Sequence, residues 1–204
     1  MAGSKHQSAD IRKQQILNAS EKVLVHRGIE KFTIDQVAEE ADVSKGTVYK
    51  YYKSKDQILS ELSVNSLSMM HEVFEEAAGK ESNAIDKLQA ICMASYRFNN
   101  SHKQHYELIQ LMERPDFNIK MEDYMRVSYS IQALTDNIVR QGIKKGEIDS
   151  DYDPQMTTYI IWSACIGVMQ FIETKKNLMK EGFEVEPEEF VRVFARMITR
   201  GLKK

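Results

Sequence analysis

The sequence predicts an all-α protein, and three observations carry that reading. Leu, Ile, Met, Glu, Lys and Gln recur at helical spacing over long stretches. Only three prolines and nine glycines occur in 204 residues, too few for a loop-rich β fold. Capping residues precede the first four periodic stretches.

The first helix is expected to start near Asp10, a favoured N-cap. Ile11, Ile16, Leu17, Ala19, Val23 and Leu24 form its apolar stripe, and Gly28 ends it. Thr33 with Gln36 three residues on reads as a capping box opening a short second helix, whose buried face is Ile34, Val37, Ala38 and Ala41. Ser44 caps a third helix with Val48, Tyr51 and Tyr52 available for packing. Ser54, with Gln57 at the capping-box position, opens a fourth that runs through Ile58, Leu62, Leu67 and Phe74 toward Gly79. This fourth helix is long enough to leave a small N-terminal bundle and serve as a mechanical link to a second one. Further helices are expected over 83–99, over 102–113 before Pro115, and over 117–144 ending at Gly142 or Gly146. Two more cover 154–179 and 187–202, each beginning with a proline at a favoured first-turn position.

Composition bounds the rest. The chain is 42% hydrophobic and 28% charged, ordinary for a globular protein. The polar opening MAGSKHQSAD predicts no signal peptide. The longest apolar run, Tyr159 to Ile172, is short for a membrane span, so a cytoplasmic location without membrane contact is expected. Cys92 and Cys165 both fall inside apolar helical patterns and read as buried thiols. The net charge of −2 does not advertise a nucleic-acid partner, but residues 1–56 carry +2 while 57–204 carry −4.

The most informative stretch is 33–57, TIDQVAEEADVSKGTVYKYYKSKDQ. Two short amphipathic helices joined by a tight turn make a helix-turn-helix, whose second helix enters the major groove. In that helix Val48 and Tyr52 are expected to face inward, and Lys45, Thr47, Tyr49 and Lys50 outward. Lys45 and Lys50 can donate to guanine edges or to phosphates, and Thr47 can touch a thymine methyl or a phosphate. Gly46 has no side chain and lets the helix approach DNA closely. Thr33, Ser44 and Ser54 mark helix N-termini that attract phosphate. Lys55 opposes the dipole of the fourth helix unless a phosphate binds there, which makes it a phosphate-clamp candidate.

The segment Ile11 to Leu62 resembles the N-terminal domain of the TetR family of transcription regulators. The resemblance rests on Ile16-Leu17, Ala19, Gly28, Phe32-Thr33-Ile34, Val37-Ala38-Glu39-Glu40-Ala41, Val43 to Tyr49 and Tyr51 to Asp56. The chain departs from the family's pattern at Asp42, where Gly is usual, and at Tyr52, where Phe is frequent. The resemblance implies nine or ten helices, with a helix-turn-helix domain over 1–54 and a ligand-binding and dimerisation domain over 55–204. It implies a homodimer on a pseudo-palindromic operator in double-stranded DNA, most often a repressor released when a small-molecule inducer moves the fourth helix. Thr47, Tyr49, Lys50 and Lys55 occupy positions that commonly touch DNA in the family; Thr33, Ser44, Lys45 and Gly46 do so more variably. No cofactor is implied.

Beyond residue 62 the argument returns to residues. The last helix carries Phe190, Phe194, Met197 and Ile198 on an apolar stripe. The helix before it is apolar around most of its circumference, with a small-residue patch at Ser163, Ala164 and Gly167 beside Phe171. Together with the resemblance, these residues read as the dimer interface. Ser128, Gln132 and Thr135 share a helix face with Tyr124 and Met125. They could be a ligand's polar contacts or be bonded to neighbouring helices. Phe74, Met93, Tyr96, Met112, Trp162 and Met169 are candidate apolar walls, pointing to a medium-sized, hydrophobic ligand.

No P-loop, dinucleotide-binding glycine pattern, nucleophile elbow or zinc-protease motif occurs, so an enzyme is not expected. His102 and His105 form a close histidine pair without a clear third metal ligand and are expected at the surface. A constitutive DNA-binding or interaction module remains the alternative to a ligand-responsive regulator. Activation instead of repression also stays open.

Overall fold

The computed structural model describes residues 2–114, 122–182 and 185–203. Among them are nine α-helices and no strand: α1 (Ala2–Arg27), α2 (Ile34–Glu40), α3 (Lys45–Tyr51), α4 (Lys55–Gly79), α5 (Ala84–Ser101), α6 (Lys103–Met112), α7 (Glu122–Lys144), α8 (Pro154–Gly182) and α9 (Pro187–Arg200). The all-α expectation holds. The expected first turn of α7 falls on residues 117–121, outside the described residues.

Two boundaries differ from expectation for physical reasons. Asp10 is not the start of α1, which begins at Ala2. Neither proline nor glycine stands between Ser4 and Asp10 to break the helix, so the backbone runs through a residue that could have capped it. At the other end of the chain α8 continues past the expected 179 to Gly182, because Lys180 and Glu181 are good helix formers.

The chain forms two compact units, one of Met1–Ser68 with His102–Met125 and one of Met69–Ser101 with Arg126–Lys204. In the first unit α2 packs on α1 and α3, and α6 also packs on α1. Ile16, Leu24, Val37, Val48, Tyr52 and Ile58 are all 0% exposed, the apolar stripes expected of these helices meeting in one core. Burying each such aliphatic side chain contributes about 1.5–3 kcal/mol. Polar ties close the edges. Lys13 of α1 pairs with Glu61 of α4 at 2.8 Å, and Lys22 pairs with Glu40 of α2 at 3.1 Å.

In the second unit α9 packs mainly on α5 and also on α8. Val191 and Ala195 supply its buried face. Gln89 of α5 donates to the Thr199 hydroxyl at 2.9 Å, and Arg97 pairs with Glu188 at 3.2 Å. Cys92 and Cys165 are buried free thiols with their sulfurs 3.5 Å apart. The hydrogen bond with Cys92, and burial after it, push the Cys165 thiol well above its ordinary value. None of the described helices is long and apolar enough to cross a membrane.

Gly142 and Gly146 were both candidate ends for α7, and they do different work. Gly146 takes the left-handed backbone (φ 73°) that ends the turn after Lys144. Gly142 lies within the helix, where an added Cβ would stand 2.6 Å from Ala84 Cβ and 2.7 Å from Ile148 Cδ1. Three chain segments therefore meet where only a hydrogen fits. Gly142→Ala is expected to destabilise the protein by about 1–3 kcal/mol, read as a lower midpoint in urea. An unchanged midpoint would mean that this junction is looser than described.

Candidate nucleic-acid interface

The turn between α2 and α3 is built from backbone bonds that leave few groups unused. Thr33 Oγ1 accepts from the Gln36 N–H while Gln36 Oε1 accepts from the Thr33 N–H, completing the expected capping box. At the far end of α2 the Val43 N–H reaches Ala38 O at 3.0 Å and the Asp42 N–H reaches Glu39 O at 3.1 Å. This is a Schellman closure with Asp42 in the left-handed position at φ 50°. Asp tolerates that conformation better than most side chains because it is short and polar, which explains how the chain accommodates a residue other than glycine there.

Ser44 then starts α3, its Oγ accepting from the Thr47 N–H at 3.1 Å. The Ser44 and Thr47 hydroxyls also bond each other at 2.9 Å. Val48 and Tyr52 are fully buried, which anchors α3 and turns its other face outward. Lys45, Gly46, Tyr49 and Lys50 are exposed; Tyr49 shows 42% of its surface. Burial pushes the Tyr52 phenol up, with the Glu61 carboxylate adding to the effect, so the ring stays neutral in the core. The Lys13 ammonium sits 5.3 Å over the same ring.

The cations differ in how free they are. Lys45 Nζ is 2.8 Å from Asp35 of α2, and the hydrogen bond it donates to that carboxylate raises its pKa. Lys50 Nζ lies 5.9 Å over the Tyr51 ring, and Lys55 Nζ lies 5.7 Å over the Phe32 ring. Each of these two contacts leaves an ammonium its hydrogen-bond donors. Lys55 stands in the first turn of α4, just after Ser54, whose Oγ accepts from the Gln57 N–H at 3.2 Å. Gln57 reaches back one residue further than a capping box requires, accepting from the Lys53 N–H at 2.7 Å. Three capped helix starts and three lysines thus belong to one continuous stretch, the arrangement that phosphate contacts and base-edge contacts need.

Gly46 adds an independent sign. An added Cβ there would meet only Ser44 Oγ, at 3.8 Å, and its φ is not left-handed. The fold does not demand glycine at this position.

The residues expected around a ligand divide between the two units. Met112 and Tyr124 are core residues of the first unit, where Tyr124 donates to Glu113 at 3.2 Å; Met125 lies at the surface there. In the second unit Met93 and Tyr96 pack with Met169 and Val191, and Phe74 is buried. Gln132 donates to the Tyr159 hydroxyl at 3.1 Å, which matches the alternative of a bond to a neighbouring helix. Ser128 and Trp162 are half-buried. Thr135 Oγ1, Thr158 Oγ1 and Trp162 Nε1 are buried without a hydrogen-bond partner among the described residues. Thr158 was not singled out from the sequence, since a threonine within an apolar helix most often bonds its own backbone. An open groove of about 500 Å³ beside α4 and α5 is lined by Val73, Ala77, Ala90 and Met93 with charged residues at its edge.

Among the residues expected at a dimer interface, Ser163 and Gly167 are exposed on α8 and Phe171 is 44% exposed. Phe171 stacks on Phe190 at 5.7 Å. Ala164, Phe194 and Ile198 are half-buried, while Met197 is 71% exposed. The expectation of a surface histidine pair is corrected for His105. It is only 6% exposed, because its ring is held by Ser66 of α4. Among the described residues no group of three or more His, Cys, Asp or Glu could hold a metal ion.

Comparison with known proteins agrees with this geometry. Residues 16–62 match the family model described as bacterial regulatory proteins, tetR family. The chain is 25% identical over 158 residues to the HTH-type transcriptional regulator YhgD of Bacillus subtilis, spanning 78% of this chain and 82% of the relative. It is 24% identical over 149 residues to the fatty acid metabolism regulator protein of the same organism, spanning 72% and 76%. The solved structure of the regulator FadR from Bacillus subtilis in complex with stearoyl-CoA superposes with a TM-score of 0.70 at 19% identity, covering 93% of this chain and 98% of that one.

Replacing Gly46 separates the demands of fold and partner. Gly46→Ala is expected to stabilise the protein alone by up to about 1 kcal/mol, the difference in helix propensity, measured by denaturation. Destabilisation would show that packing within the chain holds Gly46.

Proposed function

We propose that this chain, a member of the tetR family of bacterial regulatory proteins by its residues 16–62, is a ligand-responsive repressor that binds a specific operator as a homodimer. Members of the family are DNA-binding regulators and not enzymes. The observation that carries the reading is the division of α3. Val48 and the adjoining Tyr52 are 0% exposed, while Lys45, Gly46, Tyr49 and Lys50 face solvent. In this reading Tyr49, Lys50 and Thr47 meet base edges and nearby phosphates. Thr33, Ser44 and Lys55 fix the register through the backbone, and Lys45 leaves Asp35 to reach DNA. Residues 1–54 are then the functional DNA-binding domain and 55–204 the ligand and dimer domain. The work is done in the cytoplasm, where the operator is.

The dimer reading is supported by apolar surface on two helices. Met156, Ile160, Phe171 and Leu178 are exposed along α8, with Ser163 and Gly167 giving a partner helix room to approach. Met197 and Val193 extend the surface on α9. An isologous two-fold dimer places two recognition helices on half-sites one DNA turn apart, roughly 34–36 Å.

The ligand we infer is lipophilic with a hydrogen-bonding group. Support comes from the methionine-rich interior of the second unit and from Thr135, Thr158 and Trp162 of the same unit, whose buried polar atoms have no hydrogen-bond partner among the described residues. It also comes from the relatives, one named for fatty acid metabolism and one bound to stearoyl-CoA. A tight polar metabolite in a binding screen that finds no lipophilic compound would overturn this class.

The deciding experiment is fluorescence-anisotropy titration of the protein against the intergenic DNA upstream of its own gene, in parallel with a scrambled duplex. A preference of about 1000-fold or more marks a specific regulator; no binding at low salt overturns the reading. Tyr49→Ala and Lys50→Ala should weaken operator binding while leaving thermal stability unchanged. Lys55→Ala should weaken both duplexes alike and lower the salt slope by about one unit. Gly46→Ala should lose DNA affinity even as it gains stability.

A further inference from the structure

The end of α9 is held from two sides within the second unit. From the α7–α8 connection, Tyr152 donates to Gly201 O at 2.8 Å and the Asp149 N–H donates to Leu202 O at 2.9 Å. Leu202 itself is buried. From α5, Gln89 donates to the Thr199 hydroxyl at 2.9 Å. The residues just after the helix are therefore fixed in place, and Lys203 extends from a held backbone.

Beside Gln89 this arrangement leaves a hollow of about 480 Å³, lined by Gln89, Val193, Arg196, Met197, Arg200 and Lys203. Half of its lining residues are cations and none is acidic. Little in the chain neutralises them. Arg196 reaches one oxygen of Glu189 at 3.4 Å, while Arg192 takes the other at 3.2 Å, so two guanidiniums share one carboxylate. Arg200 and Lys203 have no ion-pair partner among the described residues. Arg196 and Arg200 also stand four apart on α9, where like charges repel. The dipole of α9 favours Arg200 in the last turn. It does not account for Arg196 a turn earlier, or for three cations gathered around one hollow.

We propose that this hollow binds a small, multiply charged anion of the class that carries phosphate groups. Two guanidinium forks and an ammonium are the donors that phosphate oxygens take. The Gln89 amide nitrogen has a second N–H beyond the one given to Thr199. An anion placed among the cations turns their mutual repulsion into attraction, and it ties the end of α9 to α5 through Gln89. The volume is that of a small-molecule site, and a hollow of this size admits a discrete molecule, not the broad face of a bilayer. Val193 and Met197, which the dimer reading gives to the subunit contact, are walls here and not the anion's contacts. The inference therefore stands apart from the dimer and from the DNA face.

The test uses the full chain with inorganic pyrophosphate as the probe, at ionic strength held constant with sodium chloride. Pyrophosphate should raise the melting temperature saturably, by about 3 °C or more near saturation. The double variant Arg200→Gln, Lys203→Gln should bind it about tenfold more weakly or worse. The double variant Lys50→Gln, Lys55→Gln, which removes two cations of the proposed DNA face, should keep wild-type affinity for it. The Met197 methyl signal should move in NMR with the same Kd. No response, a shift that sodium chloride alone reproduces, a response kept without Arg200 and Lys203, or one lost without Lys50 and Lys55 would overturn the site. So would capture by phosphatidylglycerol vesicles with no response to pyrophosphate, which would make the patch a membrane contact.

Discussion

Between α2 and α3 the chain changes direction within Ala41 to Ser44, and Asp42 makes this possible by entering left-handed backbone at φ 50°. The last carbonyls of α2 are answered by the N–H groups of Asp42 and Val43, and the first free N–H groups of α3 are answered by Ser44. Backbone groups left unpaired at such a corner would each cost stability. Because they are paired locally, the corner needs no help from distant residues. Its geometry fixes where α3 leaves α2, and Val48 and Tyr52 then lock the rotation of α3 by entering the core. Everything α3 presents outward depends on those two constraints acting in sequence, a turn that sets direction and a buried pair that sets rotation.

Much of this was legible without coordinates because it is written locally. Thr33 with Gln36, Ser44 before an apolar-polar alternation, and glycine at 28 and 146 are signals in which cause and effect lie within four residues. The core of the first unit followed from the apolar stripes, and every residue expected on the buried face of α2 except the half-buried Ala41 is in it. The end of α7 was ambiguous because glycine answers two questions. Gly146 answers one of backbone and Gly142 one of space, and only the neighbours Ala84 and Ile148 tell them apart.

The illegible part is non-local. Periodicity says that α6 has an apolar face but not that this face meets α1, some eighty residues away in sequence. His105 therefore read as a surface residue, although Ser66 and Glu21 enclose it. The same limit applies to the sensor region. Met93, Tyr96 and Met169 do share a cluster, while Met112 and Tyr124 belong to the other compact unit. Hydrophobic character is visible in a sequence, but the choice between one interior and another is made by chain topology. Thr158 shows the polar version of the problem: a hydroxyl usually satisfied by its own helix lacks a partner among the described residues.

The pairing of Lys45 with Asp35 has a consequence for counting. A lysine that neutralises a phosphate ordinarily releases a cation condensed on DNA, and the salt dependence of binding tallies such releases. Lys45 arrives already neutralised, with its ammonium 2.8 Å from a carboxylate. In the proposed DNA complex Lys45 exchanges this carboxylate for a phosphate, so one ion pair is given up as another forms. On that reading a salt titration still counts the Lys45 contact, while the affinity it adds is reduced by the pair with Asp35 that it gives up.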